Sequence, residues 1–246
     1  MAYNWNWGVF LQVTPTGGEE SYLDWMAYGF KMTVGLSLSA WVLALLFGAV
    51  IGVLRTVPNR WLAGFATAWV EIFRNIPLLV QLFLWYFVLP ELLPPTLGDA
   101  FKQSHPVFQQ FFASMLCLAL FTSARVAEQV RSGIESLPRG QKNAGLAMGF
   151  TLPQTYRFVL LPMAFRIVVP PLTSEFLNIF KNSAVCSTIG LLELAAQGRQ
   201  LVDYTAQPYE SFIAVTLAYL VINVVVMAGM RWLEAHVRIP GYIGGK

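Results

Sequence analysis

The most restrictive feature of this chain is an apolar stretch, residues 29–54, that carries no charge between Lys31 and Arg55. A helix needs roughly 20 mainly apolar residues to cross a bilayer, and this run exceeds that length. Further apolar runs follow at about 61–89, 107–122 and 212–232, and another, interrupted by Pro162, Pro170 and Pro171, reaches about residue 185. Of 246 residues, 56% are hydrophobic and only 12% charged, about half the charged share of a soluble domain. Such a chain is expected to be all-α and integral to a membrane, with about five transmembrane helices joined by short connections.

Positive residues in short loops stay on the cytoplasmic side, so the Lys and Arg positions set the expected orientation. With the amino terminus outside, one side holds Arg55, Arg60, Arg125, Arg131, Arg139, Lys142, Arg157, Arg231, Arg238 and Lys246. The other side holds Lys31, Lys102 and Arg199 among acidic neighbours such as Glu91, Asp99, Asp203 and Glu210. The expected layout is a periplasmic segment 1–28, a transmembrane domain 29–235, and a cytoplasmic tail 236–246. Within the domain the spans are about 30–54, 61–89, 107–128, 158–185 and 211–233, with a cytoplasmic loop at 129–157. Residues 1–28 lack the basic-then-apolar layout of a cleavable signal, so the first span is expected to serve as the insertion signal. Residues 190–207 are too charged to span, but Leu191, Leu194, Ala195 and Leu201 recur at near-helical spacing, predicting a short amphipathic helix at the outer surface.

The loop at about 128–157 is far longer than a plain connector. Residues 141–148 are helix-forming, and Gly149 stands where a helix ends on a left-handed residue. Thr151-Leu152-Pro153-Gln154 then fits a capping box with proline in the first turn, so a new helix starts at once. Physical reasoning leaves two readings open: a capped hairpin at the membrane surface, or a rigid corner that passes force from a soluble partner into a span.

Here the residues resemble a family. Ala144-Gly145-Leu146-Ala147-Met148-Gly149, followed after nine residues by Val159-Leu160-Leu161-Pro162, is similar to the EAA loop of ABC importer permeases, E-A-A-x3-G-x9-I-x-L-P. Asn143 and Gly145 depart from its first and third positions, and Val159 replaces isoleucine. Glu71-Ile72-Phe73-Arg74-Asn75-Ile76-Pro77-Leu78-Leu79-Val80-Gln81 and Lys181-Asn182-Ser183 resemble signatures of the polar amino-acid branch. Arg55-Thr56-Val57-Pro58-Asn59-Arg60 and Leu137-Pro138-Arg139-Gly140-Gln141-Lys142-Asn143 are similar to the membrane subunits of bacterial glutamate/aspartate importers. The resemblance implies an ABC type I importer transmembrane domain in a bacterial inner membrane. It implies coupling to an ATPase through Asn143, Ala144, Gly145, Gly149, Leu161 and Pro162. It also implies three kinds of partner: a second permease subunit, a cytoplasmic ATPase dimer and a periplasmic amino-acid-binding protein.

Charged side chains inside a span cost about 2.5–3.5 kcal/mol on insertion scales, so they face a cavity or a partner. Glu71, Arg74 and Gln81 fall near one face of the second run, either as an internal ion pair with an interhelical amide or as part of a solute pathway. Ser174, Asn178 and Lys181 form a stripe flanked by Glu175 and Asn182, just after the Pro170-Pro171 pair that is expected to disrupt the backbone. These polar groups either bind neighbouring helices or offer Lys181 to a carboxylate and Glu175 to an ammonium, with Arg166 and Arg74 as further positive candidates. Lipid is the surrounding partner.

Other functions find little support. The basic residues sit beside apolar runs and form no nucleic-acid patch. Cys117 and Cys186 are far apart with no metal-like spacing, and His105 and His236 fall in loops on opposite sides. No G-x-x-x-x-G-K-[ST] loop is present, so no cofactor is expected on this chain and ATP is left to partner subunits. The rival reading is an ion-gradient-driven secondary transporter or channel subunit.

Overall fold

In the computed structural model residues 3–16 and 18–237 are described; Arg238 and Lys246, with all but the start of the expected tail, lie outside them. The helices, in chain order, are α1 (Tyr22–Leu54), α2 (Arg60–Asn75), α3 (Leu78–Leu92) and α4 (Pro95–Lys102). They continue as α5 (Pro106–Glu135), α6 (Arg139–Ala147), α7 (Leu152–Ile189), α8 (Leu194–Thr205) and α9 (Pro208–Val237). By length and composition α1, α5, α7 and α9 can each cross a membrane, and α2 with α3 makes a fifth candidate if taken as one broken span.

Local chemistry sets these boundaries. Asn59 starts α2 by accepting hydrogen bonds from the backbone N–H groups of Trp61 (3.0 Å) and Leu62 (3.2 Å). The run at 61–89, read from sequence as one span, is two helices because Ile76 takes the extended conformation favoured before proline and Pro77 has no N–H to continue the ladder. Two widened π turns, Leu84–Val88 and Tyr156–Leu160, each end two residues before a proline, Pro90 and Pro162. A proline ring crowds the carbonyl four residues back, and a π turn moves that carbonyl aside without ending the helix. Pro170 and Pro171, by contrast, lie inside α7 without breaking it, so the disruption expected there is absent.

The chain divides into two compact units, described separately. The first comprises Met1–Ala40, Pro77–Leu118 and Ile179–Val224. Its amino-terminal segment, a turn of 3₁₀ helix at Trp7–Leu11, buries Val9 in a cluster with Tyr22, Trp25 and Leu201. Glu210 anchors that segment by accepting from the Tyr3 hydroxyl and from Asn6 N (2.6 Å). Glu193, fully buried, caps α8 by accepting from Ala195 N (2.9 Å), Ala196 N (2.8 Å) and the Tyr219 hydroxyl (2.9 Å). Burial pushes the Glu193 carboxyl up from the ordinary range, against the pull of these three donors. α8 is the short amphipathic helix expected at 190–207, with Leu194, Ala196 and Leu201 on its buried face.

The second unit comprises Trp41–Ile76, Ala119–Asn178 and Val225–Lys246. Small residues let its helices approach: a Cβ on Gly48 would stand 2.5 Å from Val126, and one on Gly52 would stand 2.6 Å from Val130, so α1 and α5 meet nearly backbone to backbone. Gly133 of α5 does the same for Val168 of α7. Ile51, Ala66, Val70, Ala124 and Ala127 complete a core shared by α1, α2 and α5. Gly52→Ala is predicted to destabilise the purified protein by about 1–3 kcal/mol through overpacking against Val130. A thermal unfolding midpoint in detergent equal to that of the unsubstituted chain would contradict this packing.

Candidate functional site

Two groups of residues carry chemistry. The first is the corner between α6 and α7. Gly149 has φ +88°, the left-handed conformation that glycine adopts without strain. Phe150 N donates to Gly145 O (3.1 Å) and Gly149 N to Leu146 O (3.0 Å), the paired bonds of a Schellman end. Thr151 then opens α7 with the expected capping box: its N–H donates to Gln154 Oε1 (2.8 Å) and its hydroxyl accepts from Gln154 N (3.4 Å).

Tertiary contacts fix the corner further. Gly145, buried, lies against Thr155, whose Cγ2 would sit 2.8 Å from an added Cβ. The departure of Gly145 from the EAA pattern thus has a steric reason, since the first turn of α7 occupies the space of an alanine methyl. The Tyr156 hydroxyl donates to Thr56 O (2.8 Å), tying the start of α7 to the residues just past α1. Asn143 and Ala144 are exposed, Leu161 is half-buried and Pro162 is exposed. Leu146, Met148 and Phe150 also stand exposed at the tip, Met148 at 67% of its surface. The sequence reading did not single out this apolar knob; an apolar trio straddling a helix stop was its signal.

The second group is polar. Glu128 of α5 accepts from Arg55 (2.6 Å), Arg74 (3.2 Å) and Arg131 (3.3 Å). Arg131 is also paired with Glu135 (2.9 Å), so three guanidiniums share two carboxylates. Arg74 is therefore held by Glu128, and Glu71 by Asn75 Nδ2 (2.7 Å); the internal Glu71–Arg74 pair considered from sequence does not form. Gln81 is buried in α3.

At about 100° per residue, Arg166, Ser174, Asn178 and Lys181 fall within roughly 120° of arc on α7. Arg166, Ser174 and Lys181 are exposed, while Asn178 and Asn182 are half-buried. Charged side chains within a span ordinarily face a bundle interior or a water-filled cavity. Glu175, on a neighbouring part of α7, has its Oε2 buried without a hydrogen-bond partner among the described residues. Arg125 of α5 has a similarly unpartnered Nε, with its guanidinium over the Phe121 ring at 4.8 Å. From sequence alone Arg125 reads as one of the topology-setting charges. An arginine embedded in an apolar run is the signal that a polar partner is needed, and Glu128, three residues on, is already occupied.

The described residues thus combine four candidate membrane-spanning helices, or five if α2 and α3 make one broken span, with a stiff helical corner. Residues 44–239 match the family of binding-protein-dependent transport system inner membrane components. The chain belongs to that family. It is 58% identical, over the full length of both chains, to the glutamate/aspartate import permease protein GltJ of Escherichia coli strain K12. It is 34% identical to the probable glutamine ABC transporter permease protein GlnM of Bacillus subtilis strain 168, over 87% of this chain and 91% of that one. Among solved structures, an amino acid ABC transporter crystallised with histidines superposes with a TM-score of 0.73 at 29% identity, covering 87% of this chain and 95% of that chain.

The Glu128 cluster makes a stability prediction. Arg55 and Glu128 side chains are only 10% and 22% exposed, so Glu128→Gln strands Arg55 and is predicted to cost about 2 kcal/mol, below the 3–5 kcal/mol of a fully buried pair. Arg131→Gln, at an outer pair, should cost under about 1 kcal/mol. Unfolding midpoints in detergent that reverse this ranking would contradict the assignment of Arg55 as the inner partner.

Proposed function

We propose that this chain is the permease subunit through which an ATP-driven importer carries glutamate and aspartate across the bacterial inner membrane. The observation that carries this reading is the full-length 58% identity to a glutamate/aspartate import permease. In this account the amino terminus is periplasmic and the carboxyl terminus cytoplasmic, which puts α6 in the cytosol. The partners are a second, related permease completing the pore, a pair of ATPase subunits and a periplasmic amino-acid-binding protein. The chain itself holds no cofactor; ATP is bound and hydrolysed by the partner subunits.

α6 is the handle. The Schellman end, the capping box and the Gly145–Thr155 contact leave few soft torsions between α6 and α7, so displacement of the exposed tip by an ATPase turns α7 with it. Asn143, Ala144, Gly145 and Gly149 form and orient this handle; Leu161 and Pro162 pass its motion into the span. Alternating exposure of the pathway then follows from the nucleotide state of the ATPases, which binds one conformation of the permease better than the other.

The polar arc of α7 faces the pathway in this reading. Arg166 and Lys181 supply positive charge to an acidic side chain or α-carboxylate, Ser174, Asn178 and Asn182 supply hydrogen bonds, and Glu175 receives the ammonium. Gln81, buried in α3, is a separate candidate for an amide contact. Arg74, held by Glu128, contributes its charge at the edge of the pathway and not as a direct ligand. Arg125 joins the set because its Nε is buried without a hydrogen-bond partner among the described residues.

Uptake by the reconstituted complex with its binding protein tests the substrate: labelled glutamate entry should fall with excess unlabelled aspartate and not with glutamine or arginine. Equal competition by aspartate, glutamine and arginine would overturn the acidic assignment. Lys181→Ala is predicted to lower the rate of acidic amino-acid uptake about tenfold, as expected for loss of one charge-assisted contact, with the complex still assembling. Unchanged kinetics would remove Lys181 from the pathway. Gly149→Val forces a β-branched residue into a left-handed conformation and should abolish solute-stimulated ATP hydrolysis while ATPase subunits still bind. Normal stimulation in that variant would contradict the handle.

A further inference from the structure

The ends of α1, α5 and α7 enclose, together with the first turn of α6, a cavity of about 470 Å³ that the transport reading does not use. Its polar lining is Arg55, Thr56, Glu135, Arg139, Lys142 and Tyr156, and the rest of the wall is apolar. Two of its charges are already matched, Arg55 by Glu128 (2.6 Å) and Glu135 by Arg131 (2.9 Å). Thr56 and Tyr156 bond each other. Arg139 and Lys142 are not matched: neither has an ion-pair partner among the described residues, and at three residues apart they share one face of α6. The cavity therefore presents two unneutralised cations to whatever enters it.

A second cavity, of about 540 Å³ and lined wholly by apolar side chains, lies between the same three spans. It runs along α1 from Leu45 to Leu54 and along α7 from Leu161 to Leu172, with Val126 and Val130 of α5 between them. The two spaces adjoin on every helix. Leu54 of the apolar groove precedes Arg55 of the basic cavity, Val130 is one turn from Ile134, and Leu161 follows Leu160. At 1.5 Å per residue the groove is about 14–16 Å long, half of a hydrocarbon core of about 30 Å, which is the depth of one leaflet.

We propose that this compound site binds one anionic phospholipid, its phosphate against Arg139 and Lys142 and an acyl chain in the groove between α1, α5 and α7. A free phosphate would satisfy the cations but leave the adjoining groove unexplained. A zwitterionic headgroup would bring an ammonium against two cations. Basic pockets at the ends of membrane helices recognise acidic headgroups through this combination of charge and adjoining hydrocarbon. A lipid seated there holds the first turn of α6 at the membrane surface, so the handle pivots about a lipid headgroup.

Native mass spectrometry of the assembled complex reads the site without reference to uptake, and so separates this inference from the transport reading. Phosphatidylglycerol added to delipidated complex should be retained, phosphatidylethanolamine with the same acyl chains should not, and inorganic phosphate should not displace the retained lipid. Joint Arg139→Gln and Lys142→Gln substitution should lower phosphatidylglycerol retention about tenfold or more, as expected for loss of two surface cations. Ala49→Phe, which fills the groove at an exposed position, should lower it while leaving the cations in place. Equal retention of the two lipids, displacement by inorganic phosphate, or undiminished retention in Ala49→Phe would each overturn the proposal. The comparison of the two lipids on the unsubstituted complex decides the question even if the double variant fails to assemble.

Discussion

One carboxylate, Glu128, sets the geometry on which the second unit depends. It receives guanidiniums from just past the end of α1, from the last turn of α2 and from the next turn of its own helix, so three elements are pinned at one point. Arg55 is the innermost of these, and the residue after it, Thr56, accepts the Tyr156 hydroxyl that seats the start of α7. From there the capping box and the Gly149 turn carry the constraint into α6. The corner is thus stiff not only because its own backbone is well capped but because it is tied, through two side chains, to a shared ion cluster.

Parts of this were written in local sequence. The spans follow from uninterrupted apolar length, and the corner from Gly149 and Thr151-Leu152-Pro153-Gln154, because caps and left-handed turns involve residues three to five apart. What sequence could not supply was pairing over distance. Arg74 finds Glu128, 54 positions later, in preference to Glu71 on its own helix, and nothing local announces that choice. The effects of the prolines also depend on their surroundings. Pro170 and Pro171 lie within a helix that carries on around them, whereas Pro90 and Pro162 act on the turns before them. Missing N–H groups are legible, but how neighbouring structure absorbs them is not.

The candidate solute residues show the same division. Their presence on α7 was visible, and the continuous helix puts Arg166, Ser174, Asn178 and Lys181 on one arc. From sequence Arg125 reads as a topology marker, as a basic residue near the end of a span ordinarily is; only its buried Nε without a hydrogen-bond partner and the buried Glu175 oxygen without one mark it as available. The proposed transport function and the proposed lipid site both follow from one feature of this architecture: charges the fold leaves unneutralised, set beside surfaces that a helix corner or a leaflet can reach.

The account rests on α6 being the place where a soluble ATPase grips the membrane helices. A cysteine at Ala144, on the exposed face of α6, tests this directly, since Cys117 and Cys186 are buried and contribute little background. A short bifunctional reagent applied to the assembled complex should join that cysteine to the ATPase subunit, with a yield that changes when ATP is bound. Failure to capture the ATPase in a complex that retains it, or capture of the periplasmic binding protein instead, would contradict the account.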